Sequence, residues 1–240
     1  MIWPILCLVV VLAGFVQGLS GFGSVLLSLP LLCLVLPIKT VIPLIALLAL
    51  CINVWLTIDL RRHIRPRRLG LLLAATLPGV PVGVFLLKTV PAQWLELFVG
   101  AVLVLFALHS LLASAPLCRK PHPLWALPAG FLSGMLGGSI GTNGPPIILY
   151  ASVQPWPKDE IKASLTAYFL AAGLLVSGSH AATGLLTPEV LRLFAVALPA
   201  LAVGVFCGIT AYRRLGEGQY RKLVFVALLL LGGMLLARAV

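Results

Sequence analysis

The chain reads as an all-α integral membrane protein made of two inverted-topology repeats, and three observations lead there. Of its 240 residues, 61% are hydrophobic and 10% are charged, whereas a soluble domain carries about 25% charged residues. Its six acidic residues cannot keep so apolar a chain in water, so lipid is the solvent for most of it. The apolar residues fall into runs of membrane-spanning length, and the Gly and Pro punctuation of those runs recurs in order in the two halves.

The runs lie at about 2–36, 41–60, 69–88, 93–113, 124–153, 161–182, 190–211 and 220–238. A span needs roughly 20 residues, and six of the eight runs fit that length. The first and fifth are about 30 residues or more and are interrupted by glycines. Each therefore predicts two short or half-length helices around a break, which makes ten helices or half-helices in all. Non-helical backbone at membrane depth survives only where it is buried in protein or lines a cavity. The N-terminal stretch, Met1 to Phe15, lacks a basic leader region and reads as a retained first segment. No long soluble insertion and no phosphate-binding Gly-x-x-x-x-Gly-Lys-Ser/Thr motif occurs, so nothing in the chain would hydrolyse ATP.

At an offset of 116, Ala13-Gly14-Phe15 matches Ala129-Gly130-Phe131, Gly18 matches Gly134, Gly21 matches Gly137 and Pro30 matches Pro146. At an offset of 121, Leu77-Pro78 matches Leu198-Pro199 and Val82-Gly83-Val84-Phe85 matches Val203-Gly204-Val205-Phe206. Ordered Gly and Pro matches of this kind indicate duplication. The repeats are assigned to 1–116 and 124–240, joined by 117–123, and together form one transport domain. Loop 61–68 carries five arginines while its counterpart, 183–189, carries no Lys or Arg. The next pair of loops reverses the bias: 88–93 has only Lys88, its counterpart Arg213, Arg214, Arg221 and Lys222. Positive residues mark the cytoplasmic side, so equivalent loops lie on opposite faces and the repeats are inverted. The N-terminus and 183–189 are then outside, and 61–68, 114–123 and 212–221 inside, in a bacterial-type inner membrane crossed many times.

The net charge of +11 follows the positive-inside pattern, with no basic, aromatic-interleaved face for nucleic acid. Cys7, Cys33, Cys51, Cys118 and Cys207 stand singly, with no redox or zinc spacing. No nucleophile–base–carboxylate or His-Glu-x-x-His pattern appears, so no enzyme, metal or cofactor is expected. The glycine rows Gly79-x-x-x-Gly83 and Gly204-x-x-x-Gly208 are small-residue patterns for close helix contact. They are expected to meet within one chain, with a homodimer as the alternative.

The binding site is expected where the breaks meet near mid-membrane. All six acidic residues fall at run ends or in loops, which argues against a cation relay. The breaks offer small hydroxyls, a carboxamide and glycine-exposed backbone N–H groups, a chemistry suited to an anion. The candidate binding residues are Ser20, Gly21, Gly23, Ser24, Ser139, Gly141, Thr142, Asn143 and Gly144. Candidates for the pore or its mouth are Gln17, Lys39, Asn53, Lys162 and Tyr168. Lone His109 and His180 in apolar runs read as packed, hydrogen-bonded residues. The function this supports is a secondary transporter carrying a small anion by alternating access. An anion channel and a non-transporting membrane subunit of a larger complex are the alternatives.

The motif Gly18-Leu19-Ser20-Gly21-Phe22-Gly23 followed by Leu29-Pro30-Leu31-Leu32, then Gly141-Thr142-Asn143-Gly144-Pro145-Pro146-Ile147-Ile148-Leu149-Tyr150, Lys162-Ala163-Ser164-Leu165 and Phe169, resembles the TauE/SafE-type sulfite exporter family of permeases over nearly the whole length. The resemblance implies sulfite, a sulfonate, thiosulfate or a related sulfur-containing anion as cargo.

Overall fold

The structure, a computed structural model, describes residues 2–91, 122–152 and 158–212 continuously, with 154, 156 and scattered positions of 93–108 and 229–236. Most of the fourth and eighth runs, most of the 117–123 connection, His109, Cys118 and the basic cluster of 213–222 lie outside the described residues. Among those described, the ordered elements are all helical: α1 (Ile2–Ser20), α2 (Ser24–Cys33), α3 (Ile38–Asp59), α4 (Gly70–Thr89), α5 (Ala126–Ile140), α6 (Gly144–Ser152), α7 (Lys158–Ala182) and α8 (Pro188–Tyr212), with short 3-10 turns at Arg61–His63, Pro66–Arg68 and Pro123–Trp125.

Five of these helices are long and apolar enough to cross a membrane: Ile2–Ser20, Ile38–Asp59, Gly70–Thr89, Glu160–Ala182 and Pro188–Ala211. Their outer faces are as apolar as their inner ones. Phe85, Phe206, Ile58 and Leu8 are all more than 60% exposed, and Leu77 and Val203 more than half. Water would reject such a surface and lipid accepts it. The first and fifth runs are both broken, as expected, though unequally. In the first, α1 is itself of spanning length and only α2 is short, while both α5 and α6 are half-length.

Two parallel helix pairs frame the bundle, α1 with α8 and α4 with α5. Glycines set both contacts. A Cβ at Gly14 would sit 3.0 Å from Leu201 O, and one at Gly18 2.7 Å from Val205 O. On the facing helix, a Cβ at Gly204 or Gly208 would collide with Val11 O or Phe15 O. In the other pair, Gly130, Gly134 and Gly138 press on Leu72 O, Thr76 O and Val80 O, and Gly79 and Gly83 on Phe131 O and Met135 O. The glycine rows of α4 and α8 thus do not meet each other. Each docks within the chain on the first helix of a broken pair, because that helix carries the complementary glycine row.

The pairs begin at opposite ends of the bundle. At the start of α1 the Arg192 guanidinium of α8 lies over the Trp3 ring, 5.5 Å from its centroid, and Leu6 packs in one core with Val190 and Leu193. The start of α5 shares a core with the start of α4 through Ala126, Leu69 and Leu72. Loop 61–68 lies at this second end, where Arg68 and Arg65 reach Glu160 of α7 at 2.5 and 3.5 Å. At the first end, Lys88 donates to Thr183 O at 3.0 Å and Lys39 to Lys88 O at 3.4 Å. Loops 61–68 and 183–187 therefore face away from each other, as their charge difference requires.

Candidate functional site

Glycine backbone ends both interrupted helices. Gly21 (φ 82°) donates its N–H to Gln17 O at 2.7 Å, and Gly141 (φ 74°) to Gly137 O at 3.0 Å, each in the left-handed conformation that terminates a helix and disfavours any side chain. These matching caps lie 120 residues apart, one helical turn from the expected pairing of Gly21 with Gly137. The glycine rows shift with them. Gly14 and Gly18 make contacts like those of Gly134 and Gly138, and Gly204 and Gly208 like those of Gly79 and Gly83. Glycines spaced by four make a one-turn slip invisible to sequence comparison. Only the cap reveals it.

The breaks stand at different depths rather than meeting. Gly21 packs under the stem of Lys162, in the second turn of α7, whereas Gly138 O accepts from His180 Nε2 in its last turn. Gly141 rests on Ile42 and Ile45 near the start of α3, and Gln17 reaches Asn53 near its end. At about 1.5 Å per residue the breaks are separated by on the order of 15–20 Å along the bundle axis. Between them, at mid-bundle, is a cavity of about 50 Å³. Its wall takes Gln17 from α1, Phe22 to Leu26 from the first break and α2, Gly141, Asn143 and Gly144 from the second, and two helical stripes. Those stripes are Ala46, Ala49, Leu50 and Asn53 of α3 and Phe169, Gly173 and Val176 of α7.

Among the described residues, no charged side chain lines this cavity. Its polar groups are side-chain amides, one hydroxyl and backbone N–H groups. Ser24 Oγ donates to Gln17 Oε1, and Gln17 Nε2 to Asn53 Oδ1 at 2.8 Å. With its oxygen engaged, Asn53 keeps its amide N–H groups for the cavity. Asn143 Nδ2 is buried without a partner among the described residues, and Gly137 leaves room for that carboxamide, since a Cβ there would collide with it. Gly23 (φ 101°) begins α2 with no side-chain cap, so the N–H groups of Ser24, Val25 and Leu26 have no intrahelical acceptor. At α6 the two prolines, Pro145 and Pro146, carry no N–H and remove that surplus. The first break thus supplies backbone donors and the second a side-chain amide.

Gln17, Asn53, Gly23, Ser24, Gly141, Asn143 and Gly144 come together here, while the other candidates lie off the wall. The Ser20 hydroxyl turns to Val16 O and Phe22 O, and Ser139 to Met135 O at 2.7 Å, because a serine in a last helical turn finds its own carbonyls first. Thr142 is buried beside the wall. Lys162 Nζ donates to Leu19 O at 3.5 Å, at the negative end of α1, and its stem covers Gly21. Lys39 is at the opposite end of the bundle. Tyr168 is fully buried between α4 and α5, with its hydroxyl 2.7 Å from Thr76 Oγ1 and donating to Ser133 Oγ at 2.9 Å; Ser133 in turn donates to Asn143 O at 2.6 Å. It holds the second break from behind. Sequence reasoning missed the apolar wall, although projecting a helical stripe from Asn53 through Leu50, Ala49 and Ala46 would have found half of it.

The network gives a direct expectation. Gln17→Leu leaves Ser24 Oγ and Asn53 Oδ1 without partners, and a buried polar group so stranded costs about 1–3 kcal/mol. The detergent-solubilised protein should melt measurably lower than the parent. Ser20→Ala, which removes only local bonds to the backbone of Val16 and Phe22, should not.

With the geometry in place, comparison with known proteins decides the kinship: the profile of the family described as "Sulfite exporter TauE/SafE" matches residues 6–235. The chain belongs to this family of membrane transporters. It is 26% identical over 231 residues to a protein of Cupriavidus necator described as "Probable sulfite/organosulfonate exporter TauE", covering 94% of this chain and 90% of that one. No solved structure matches. Together with its apolar helices, membership makes this a multi-pass membrane transporter.

Proposed function

We propose that the chain is a secondary transporter of a small sulfur oxyanion, sulfite or a short sulfonate, which it moves by alternating access through the mid-bundle cavity. The observation that carries this is a cavity flanked by both breaks, lined by side-chain amide and backbone N–H donors and, among the described residues, free of charged side chains. Uncharged donors hold an oxyanion without the tight ion pair that would prevent release. One water needs about 10–15 Å³ of such space, so a cavity of about 50 Å³ admits roughly a four-atom anion. The similarity to a probable sulfite/organosulfonate exporter points the same way.

The mechanism rests on two inverted repeats, 1–116 and 124–240, acting as one transport domain. The matched glycine contacts, the equivalent left-handed caps and the opposed starts of α1 and α5 support it. Exchanging which break is open would expose the cavity to one side and then the other. Sulfite should raise the melting temperature of the purified protein, with methanesulfonate next and longer alkanesulfonates weaker. Preloaded proteoliposomes should show saturable sulfite counterflow. A linear, unsaturable current would replace the carrier with a channel.

We place the protein in an inner membrane with its N-terminus and 183–187 outside, and 61–68 inside, from the arginine bias. In a cysteine-free background, an impermeant thiol reagent added to intact cells should label Thr187→Cys and spare Arg65→Cys. The reverse pattern would invert the assignment, and labelling of both from one side would contradict the opposed loops.

A further inference from the structure

Deepening the transport reading and resting on it, we propose that His180 is a proton-binding site linked to anion occupancy of the cavity. His180 is fully buried near the end of α7. Its Nε2 lies 3.1 Å from Gly138 O, a carbonyl that can only accept, so Nε2 carries a hydrogen. That leaves Nδ1 as the nitrogen open to a proton, and it is buried with no partner among the described residues. Ser177 Oγ, also buried and unpartnered, lies three residues earlier on the same helix, where side chains are neighbours. One turn before His180, Val176 forms part of the cavity wall.

The charges nearby settle the sign of the coupling. Of the helices packed around α7, α3 brings Lys39 and α4 brings Lys88 to this end, both bound to backbone carbonyls. α5 has no titratable side chain and α6 only Tyr150. Cys51 is midway along α3, Asp59, Glu160 and the Arg61–His63 turn are at the far end, and Glu189, which begins α8 at the near end, is exposed. Among the described residues an imidazolium at His180 therefore has no carboxylate paired with it. An anion in the cavity one turn away supplies the missing countercharge. By linkage, a proton on His180 tightens the anion by the same factor. The two occupy the bundle together, and the proton partly or wholly neutralises the cargo.

The test compares the parent with His180→Gln, which retains an N–H for Gly138 O and cannot ionise, in sulfite-loaded proteoliposomes. Sulfite's own titration is common to both proteins and cancels in their ratio. Counterflow should be similar in both at pH 8. The parent-to-variant ratio of net sulfite uptake should rise about tenfold as pH is lowered from about 8 to about 5 and His180 takes up its proton. A ratio that stays flat with pH overturns the proposal. His180→Asn provides the second arm: if both neutral variants lose counterflow at every pH, His180 is a structural cap for α5 and the proposal is likewise overturned. Absence of counterflow in the parent would instead reject the transport reading itself.

Discussion

Asn143→Asp is expected to abolish sulfite transport while leaving the protein folded. Asn143 sits on the cavity wall with Nδ2 unpartnered, so the substitution replaces a free donor with a negative charge where the anion would bind. Two like charges about 5 Å apart, at an effective dielectric of about 20, repel by about 3 kcal/mol, or roughly two orders of magnitude in affinity. The lost donor hydrogen bond adds about 1 kcal/mol. Asn143→Ala isolates that smaller loss and should weaken sulfite binding about fivefold to tenfold. The tie from Ser133 to the Asn143 carbonyl is made to backbone, so both variants retain it. Acid should partly rescue Asn143→Asp, because a protonated carboxyl no longer repels the anion. Full transport by the aspartate variant at pH 8 would move the binding site away from the second break.

Most of the bundle could be read from spacing and charge. Gly and Pro punctuation locates both interruptions, and loop 61–68 lies at the opposite end of the bundle from Thr183, as their arginine difference suggests. The expected pairing of Gly21 with Gly137 missed by one turn because Gly130, Gly134 and Gly138 repeat every four residues, and any of them can be slid onto Gly14 or Gly18. Helical periodicity carries no information about such a slip; the backbone conformation at Gly141 does. The depth of the breaks was hidden for a related reason. Matched motifs suggest a meeting point, yet α1 runs 19 residues before its break and passes the level at which α5 ends.

At the site, residue type was informative and side-chain direction was not. Ser20, Ser24 and Ser139 look alike in sequence. Only Ser24, in the first turn of its helix, turns to another side chain at the cavity; the other two end helices and bond backward to their own carbonyls. Gln17 and Asn53 form one unit in which the Gln17 amide donates to the Asn53 oxygen, a pairing 36 residues apart that no local pattern announces.

Gly83→Ala should strip the folded protein of much of its stability. A Cβ at Gly83 would overlap Met135 O and lie 2.8 Å from Ser139 N. Both are backbone atoms of α5, so no rotamer change relieves the clash and the helices must part. In lipid no hydrophobic force draws helices together, and their association depends on close packing, which small residues permit. Opening the contact by 0.5–1 Å forfeits about a quarter to a half of its attraction, and overpacking of this kind costs about 1–3 kcal/mol. For a chain of this size each kcal/mol lowers the melting temperature by about 2–4 °C, so a fall of up to about 10 °C is expected in a detergent melt. Gly138→Ala, which meets Val80 O across the same seam, should cost a similar amount alone. The double variant should cost less than the sum, because helices already parted by one methyl have room for the second. Gly178→Ala is the control: nothing lies within 4 Å of its Cβ site, and alanine favours the helix. If Gly83→Ala melted with the parent, α4 and α5 could not be in the contact described, and the parallel pairing at this seam would have to be abandoned.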